Sequence, residues 1–428
     1  MSKANFRARF GALISISLAL AACANAQGSD KKPAIDKPVA VATVQPPVAT
    51  MSASERKAYV DAAALAWKYF DTNTQAATGL TSATPNWLNT TLWDIGAEIL
   101  ATYSAKELGI ITPQAYTKRI GKILQTMEKA TLYKGTAYNR VYSTTTGGIG
   151  PANGWSSTDL GRFLAALKLL AVRDPQFAAQ AERIARRNDF SKIVFDGYLH
   201  GQLARPNGTS FTFQEGRIGY EQYSANGFKQ WGASVDNAMN FQLNGEPLNV
   251  LGVDILADKR YNDRLLSEPF ILIGLEFGLD APMRTLAANV LQAQEQRFKT
   301  TGQMTIVTED AVSEPPDYFY YYCVLCNRKP FVVDLASPGK ERDHPRWVST
   351  KGAYGWNAIM PDDYTRQAVQ YVAPAMDPKL GWASGIYEST GKSTLTVDIN
   401  TSAVMMEIAL FKLRGSRPLI EAAPVQLR

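Results

Sequence analysis

Histidine is almost missing from this sequence, cysteine is scarce and neither sign of charge dominates: 428 residues carry two histidines, three cysteines and a formal charge of +6. With only His200 and His344 to supply an imidazole, a Ser–His–Asp or Cys–His hydrolase has little to draw on. Cys323 and Cys326 have only His344 near them in sequence, one short of the four ligands of a structural zinc site, and neither a metal nor another cofactor is expected. Half of the charge sits on Lys3, Arg7 and Arg9, and without them +3 remains, too little to argue for a nucleic-acid partner. The apolar run Phe10–Ala22 is shorter than the roughly 20 residues that cross a bilayer.

Three basic residues followed by that short run have the layout of a secretory signal. Its end, Leu20-Ala21-Ala22-Cys23, resembles the bacterial lipobox, which implies a leader over 1–22 and a lipid-bearing Cys23 as membrane anchor. Ala24 after it implies sorting to the outer membrane. The competing reading is an ordinary signal cleaved after Ala26. Residues 23–53 are rich in Ala, Pro, Val and Lys and read as a tether. In an oxidising compartment Cys323 and Cys326, spaced Cys-Val-Leu-Cys, read as a local disulfide.

From Ser54 onward two kinds of helix alternate. One kind is apolar nearly all round, as in Thr91–Leu100, Ser156–Leu170 and Thr401–Leu413; the other carries a one-sided stripe, as Ile120, Ile123, Leu124 and Met127 do. The first kind belongs inside and the second on an outer layer. Six apolar helices, each entered through a loop rich in Gly, Trp or Tyr, and at least five polar ones predict an all-α fold, an (α/α)6 barrel over 54–415 with long loops forming a cleft, and a tail over 416–428. Between Gly232 and Leu265 no outer helix is legible, and a loop is expected there.

The starts of the inner helices collect acids and aromatics. Glu221 lies between Tyr220 and Tyr223; Asp94, Asp159 and Glu268 sit in other first turns, and Glu388 follows a Gly-Trp loop. A carboxyl held against rings in a partly dry cleft keeps its proton near neutrality and can donate it to a glycosidic oxygen, while a second carboxylate activates water. Glu221 is therefore the candidate acid and Asp159 the candidate base or water-positioner, with Asp94 and Glu388 as substitutes. Trp93, Trp155, Tyr220, Tyr223, Trp356, Trp382 and Tyr387 are candidate sugar platforms. Each first-turn acid also has a plain reading as a helix-start device.

The motifs Trp93-Asp94-Ile95-Gly96, Gly154-Trp155-Ser156-Ser157-Thr158-Asp159, Tyr220-Glu221-Gln222-Tyr223, Tyr354-Gly355-Trp356-Asn357, Gly381-Trp382 through Tyr387-Glu388 and Asn400-Thr401-Ser402-Ala403-Val404 resemble the bacterial domain-of-unknown-function 3131 family. More distantly their order is similar to that in endo-β-1,2-glucanases and cyclic glucan synthases, which are (α/α)6 barrels. That resemblance implies a glutamate acid at Glu221 and an aspartate at Asp159, and a polysaccharide or oligosaccharide as partner. Where the glucanase helix has a second acid one turn on, this chain has Arg162. An exported glycoside hydrolase of the cell envelope is expected. Its competitors are a non-catalytic glycan-binding lipoprotein and a polysaccharide lyase using one of Tyr318, Tyr320, Tyr321 or Tyr322 as base.

Overall fold

The structure is a computed structural model and describes residues 51–260, 263–312, 319–335 and 345–420; the leader, Cys23, most of the tether, Tyr318 and His344 lie outside them. The principal helices are α1 (Ala53–Asn73), α2 (Leu92–Glu107), α3 (Pro113–Lys129), α4 (Ser157–Arg173), α5 (Pro175–Ala185), α6 (Tyr220–Lys229), α7 (Glu268–Leu272, continued by a π-helical turn, Ile273–Phe277), α8 (Ala281–Thr301), α9 (Thr350–Ile359), α10 (Asp363–Val372) and α11 (Ile399–Leu413). No helix among the described residues is long and apolar enough to cross a membrane.

Helices α2, α4, α6, α7, α9 and α11 touch in that order, and α11 returns to α2, so the order is closed. Their composition explains the position: α11 is buried from Ile399 through Phe411, and α2 is buried except at Trp93 and its last residues. Around them α1 rests on α11 and α2, α3 on α2, α5 on α4, and α10 on α9. On α3, Tyr116, Ile120, Ile123, Leu124 and Met127 form the single buried face, as a stripe at i, i+4, i+7 requires.

The connections are not the loops expected of an all-α chain; many pair as short antiparallel ladders. In place of a helix between α6 and α7 stand two one-turn helices and a hairpin of Gly245–Val250 with Val253–Asp258. Its inward residues Val253, Ile255 and Ala257 keep a period of two, and Leu251 and Gly252 turn the chain at positive φ. The expected tail begins with a docked segment: the amides of Leu419 and Ile420 donate to the carbonyls of Leu275 and Glu276 at 2.9 and 2.7 Å. They satisfy the acceptors that the end of α7 leaves open.

Close approach of α4 and α6 depends on two glycines. A Cβ on Gly227 would lie 2.0 Å from the carbonyl oxygen of Gly161, and one on Gly161 would lie 2.5 Å from Cα of Ser224. Gly227→Ala must push the helices apart, and a loss of about 1–3 kcal/mol is expected. It should be read as a lower urea midpoint at unchanged slope; an unchanged midpoint would show that the two helices can separate freely.

Candidate active site

Side-chain hydroxyls or carboxylates of Thr91, Ser156, Ser349 and Asp398 cap α2, α4, α9 and α11 by accepting from the third amide of each helix. Capping fixes where each helix starts and hence which residues occupy its first turn. Hydrogen bonds then join five first turns at one end of the molecule. Glu268 of α7 accepts from Lys351 Nζ of α9 at 2.9 Å, from Asn400 Nδ2 of α11 at 2.5 Å and from the Tyr220 hydroxyl of α6 at 2.6 Å. Trp93 Nε1 of α2 donates to Asn400 Oδ1 at 3.3 Å. Burial raises the Glu268 carboxyl pKa, but Lys351 and the Tyr220 hydrogen bond outweigh it and hold the group below its ordinary value.

Partly exposed groups surround this buried anion. Asp159, in the first turn of α4, keeps some solvent access; Arg140, near it, pairs with Glu215 at 3.5 Å. Burial pushes the Asp159 carboxyl up to about 7, against the pull of Arg140 and with a further push from Glu215 and Asp94. The strand Phe319–Tyr322 alternates strictly, with Tyr320 and Tyr322 turned into the core and Tyr321 partly open. Arg217 and Arg264 lie 5.2 and 4.4 Å from the Tyr321 ring centre. Its ladder partner is Glu309, whose side chain is 25% exposed and 3.6 Å from Arg217. Burial raises the Tyr321 hydroxyl, and the charges of Glu309 and Asp159 add to the rise.

One turn deeper, Arg162 of α4 is completely buried and pairs with Glu407 of α11 at 2.8 Å and Glu276 of α7 at 3.8 Å. Its guanidinium lies 4.8 Å from the Trp93 ring centre, and the Tyr223 hydroxyl donates to Glu276 at 2.8 Å. Burial raises both carboxyls against Arg162, Glu407 well above its ordinary value because Glu276 repels its charge.

The sequence candidates therefore separate. Asp159 faces the open end, while Glu221 does not: it is fully buried, with Arg260 Nη1 at 2.5 Å and Gln214 Nε2 at 2.9 Å on its carboxylate. Asp94 closes the capping box of α2 by accepting from the Thr91 amide and hydroxyl, and burial lifts its carboxyl to about 6. Glu388 is gripped by Arg297 at 3.0 and 2.9 Å and by Tyr322, on the face of the strand opposite Tyr321. Among the aromatics, Trp93 is partly open. Tyr220 is buried with its hydroxyl at the floor, and Tyr387, partly exposed, pairs with Trp347 across a ladder. Trp356 and Tyr223 have no exposed surface, and Trp155 and Trp382 donate their indole hydrogens to the carbonyls of His200 and Ala62. These four rings are core, not sugar platforms. Cys323 and Cys326 form a disulfide, packed with Leu266 behind Tyr220.

Glu309, Lys351 and Arg217 enter the site without having been singled out, and Tyr321, considered only as a lyase base, enters it as a ring face. Lys351 is a lysine in the first turn of an otherwise apolar helix, a position that a cation occupies only against a buried acid; that signal was available. Glu309 carried none, because its strand, Glu309–Ala311, is too short to show a period of two. No group of side chains suited to a metal ion occurs among the described residues.

Comparison with known structures gives the same fold at low identity. A glucoamylase-like protein of Bacteroides caccae superposes with a TM-score of 0.61 at 16% identity, over 85% of this chain and 97% of the other. An endo-β-1,2-glucanase of Chitinophaga pinensis, solved with sophorotriose and glucose, gives 0.61 at 13% identity over 85% and 96%. An endo-β-1,2-glucanase of Talaromyces funiculosus with sophorose gives 0.57 at 13% over 83% and 84%. No curated protein matches the sequence. The model of a protein family of unknown function, DUF3131, matches residues 61–415, and the chain belongs to that family.

Proposed function

We propose that this protein is a glycoside hydrolase that cuts a β-linked glucan, bound in a cleft at the open end of an (α/α)6 toroid. The reading is carried by one observation: two partly exposed carboxyls belong to the end where the first turns of the inner helices meet, Asp159 in the first turn of α4 and Glu309 paired across a ladder with Tyr321 and bonded to Tyr220 of α6. Trp93 and Tyr321 are the ring faces open to a sugar. Asp159 serves as base or water-positioner, and a carboxyl titrating near 7 is a strong base at neutral pH. Glu221 holds Arg260 and the strand carrying Gln214 in place. The glucan is named from the endo-β-1,2-glucanases of similar fold. Export and a lipid on Cys23 belong to the same proposal and suit an envelope or extracellular glucan.

The test is incubation of the full-length protein with β-1,2-glucan and a panel of other glucans and bacterial exopolysaccharides, following new reducing ends. Wild type is expected to release them. Glu221→Gln is expected to cleave within about tenfold of wild type while melting lower, because it removes one partner of a buried ion pair, a loss of about 3–5 kcal/mol. Saturable binding without release would replace the hydrolase with a glycan-binding protein; unsaturated products would make it a lyase.

A further inference from the structure

We infer that Glu309 is the carboxyl that protonates the glycosidic oxygen, that Tyr220 and Glu268 are positioning residues that keep its proton in place, and that Lys351 is a positioning residue that holds Glu268 ionised and fixes the Glu309 backbone. The inference rests on the hydrolase reading and assigns the acid to Glu309 in place of Glu221, whose carboxylate is engaged by Arg260 and Gln214.

The argument is an accounting of hydrogens. Tyr220 has one hydroxyl hydrogen. Its oxygen is 2.6 Å from Glu268 Oε2 and 3.1 Å from Glu309 Oε2. Glu268 is fully enclosed and its other oxygen already receives Lys351 and Asn400, so it is a carboxylate, and the short bond takes the tyrosine hydrogen. The remaining contact, phenol oxygen to Glu309 oxygen, has a hydrogen only if Glu309 brings it. A protonated Glu309 donating to Tyr220 satisfies every atom, whereas an ionised one would place two carboxylates on one hydroxyl.

The groups around Glu309 are Arg217 near α6, Tyr220 on α6, Glu268 on α7, Lys351 on α9 and Tyr321 on the paired strand. Lys351 also donates to the Glu309 carbonyl oxygen at 2.6 Å, which fixes the backbone of the acid. Burial raises the Glu309 carboxyl and the Glu268 charge reinforces this; Arg217 and Lys351 oppose it, as Tyr220 would if its hydroxyl donated to Glu309 instead of accepting. In the reaction the Glu309 proton passes to the glycosidic oxygen as the bond from that oxygen to the anomeric carbon breaks, its electron pair staying on oxygen. Water bonds to the anomeric carbon and gives a proton to the Asp159 carboxylate. Exchange with solvent restores both groups.

Two measurements on the full-length protein decide the assignment. In the first, Glu309→Gln is expected to lose cleavage of the glucan by about 10³-fold, yet to hydrolyse a dinitrophenyl oligosaccharide of the same linkage within about tenfold, because that leaving group needs no proton. Tyr220→Phe is expected to keep partial activity with the alkaline limb of its pH profile moved to lower pH. Equal loss on both substrates, or retained glucan cleavage, would overturn the assignment. In the second, the infrared difference between wild type and Glu309→Gln near neutral pH is expected to contain the carbonyl band of a protonated carboxyl. Its absence overturns the assignment whether or not a glucan is cut. A wild type that cuts no glucan but shows the band overturns the hydrolase reading and leaves the hydrogen accounting standing.

Discussion

Asp159→Asn is expected to lower glucan cleavage by about 10²–10⁴-fold, the usual contribution of a positioned acid or base, without lowering the melting temperature. The amide keeps the size of the side chain, and the Asp159 amide still donates to Ser156 Oγ at 3.1 Å, so the start of α4 survives. The sign of the pH dependence follows from the role. A base must be ionised, and burial places the Asp159 carboxyl at about 7; wild-type activity should disappear as the pH falls through that value and rise above it, up to the alkaline limb set by the acid. Initial rates across this range should show that limb in wild type and none in the variant's residual rate. Activity that instead falls as pH rises through 7 would make Asp159 the acid, and a variant as active as wild type would remove it from the chemistry.

The second large effect is on stability. Arg162→Met should cost about 3–5 kcal/mol, the usual result of removing one partner from a buried ion pair, and lower the melting temperature by about 5 °C on the entropy of unfolding of a domain this size. Arg162 faces Glu276 and Glu407 in a layer with no exposed side chain, and its stacking on Trp93 is lost as well. With both carboxyl pKa values raised by burial, the folded protein holds protons that the unfolded chain gives up above about pH 4.3. Stability from this cluster therefore declines as pH rises. Without the guanidinium the decline should steepen, and the variant should lose more at pH 8 than at pH 5. Chemical denaturation at the two pH values measures this. Adding Glu276→Gln and Glu407→Gln to Arg162→Met should recover part of the loss, whereas equal loss at both pH values would mean that Arg162 acts through packing alone.

Much of this architecture was legible because the inner helices advertise their burial. Ile399 to Phe411 has no polar face, and α3 has only one apolar side, so the two layers could be assigned from spacing. The position of Asp159 was legible for a related reason: an acid in the first turn of a buried helix belongs to the end where the helices begin, and the structure leaves it partly exposed there. Glu221 shares that pattern but turns outward to Arg260, and the sequence holds no mark of which way a first-turn side chain leans. Arg260 lies beyond the hairpin that replaces the missing helix, a segment read as loop because its period of two is short. Glu309 was invisible for a stronger reason. Its strand, Glu309–Ala311, is too short to show an alternating pattern, and its register against Tyr321 on the next strand is set by side-chain packing more than by local composition.

The closed order of the inner helices also has a meaning in time. Helix α11 is the last of the ring to be made, yet it is the wall against which α1 and α2, the first two, are packed. Until residue 413 is available those early helices lack this wall, and α3 and α4 cover only part of them. Contacts spanning so much chain form slowly and leave apolar surface open to aggregation in the interval. A polypeptide of this design finishes folding all at once, after its synthesis, and a chain broken off before α11 is left with its beginning unprotected.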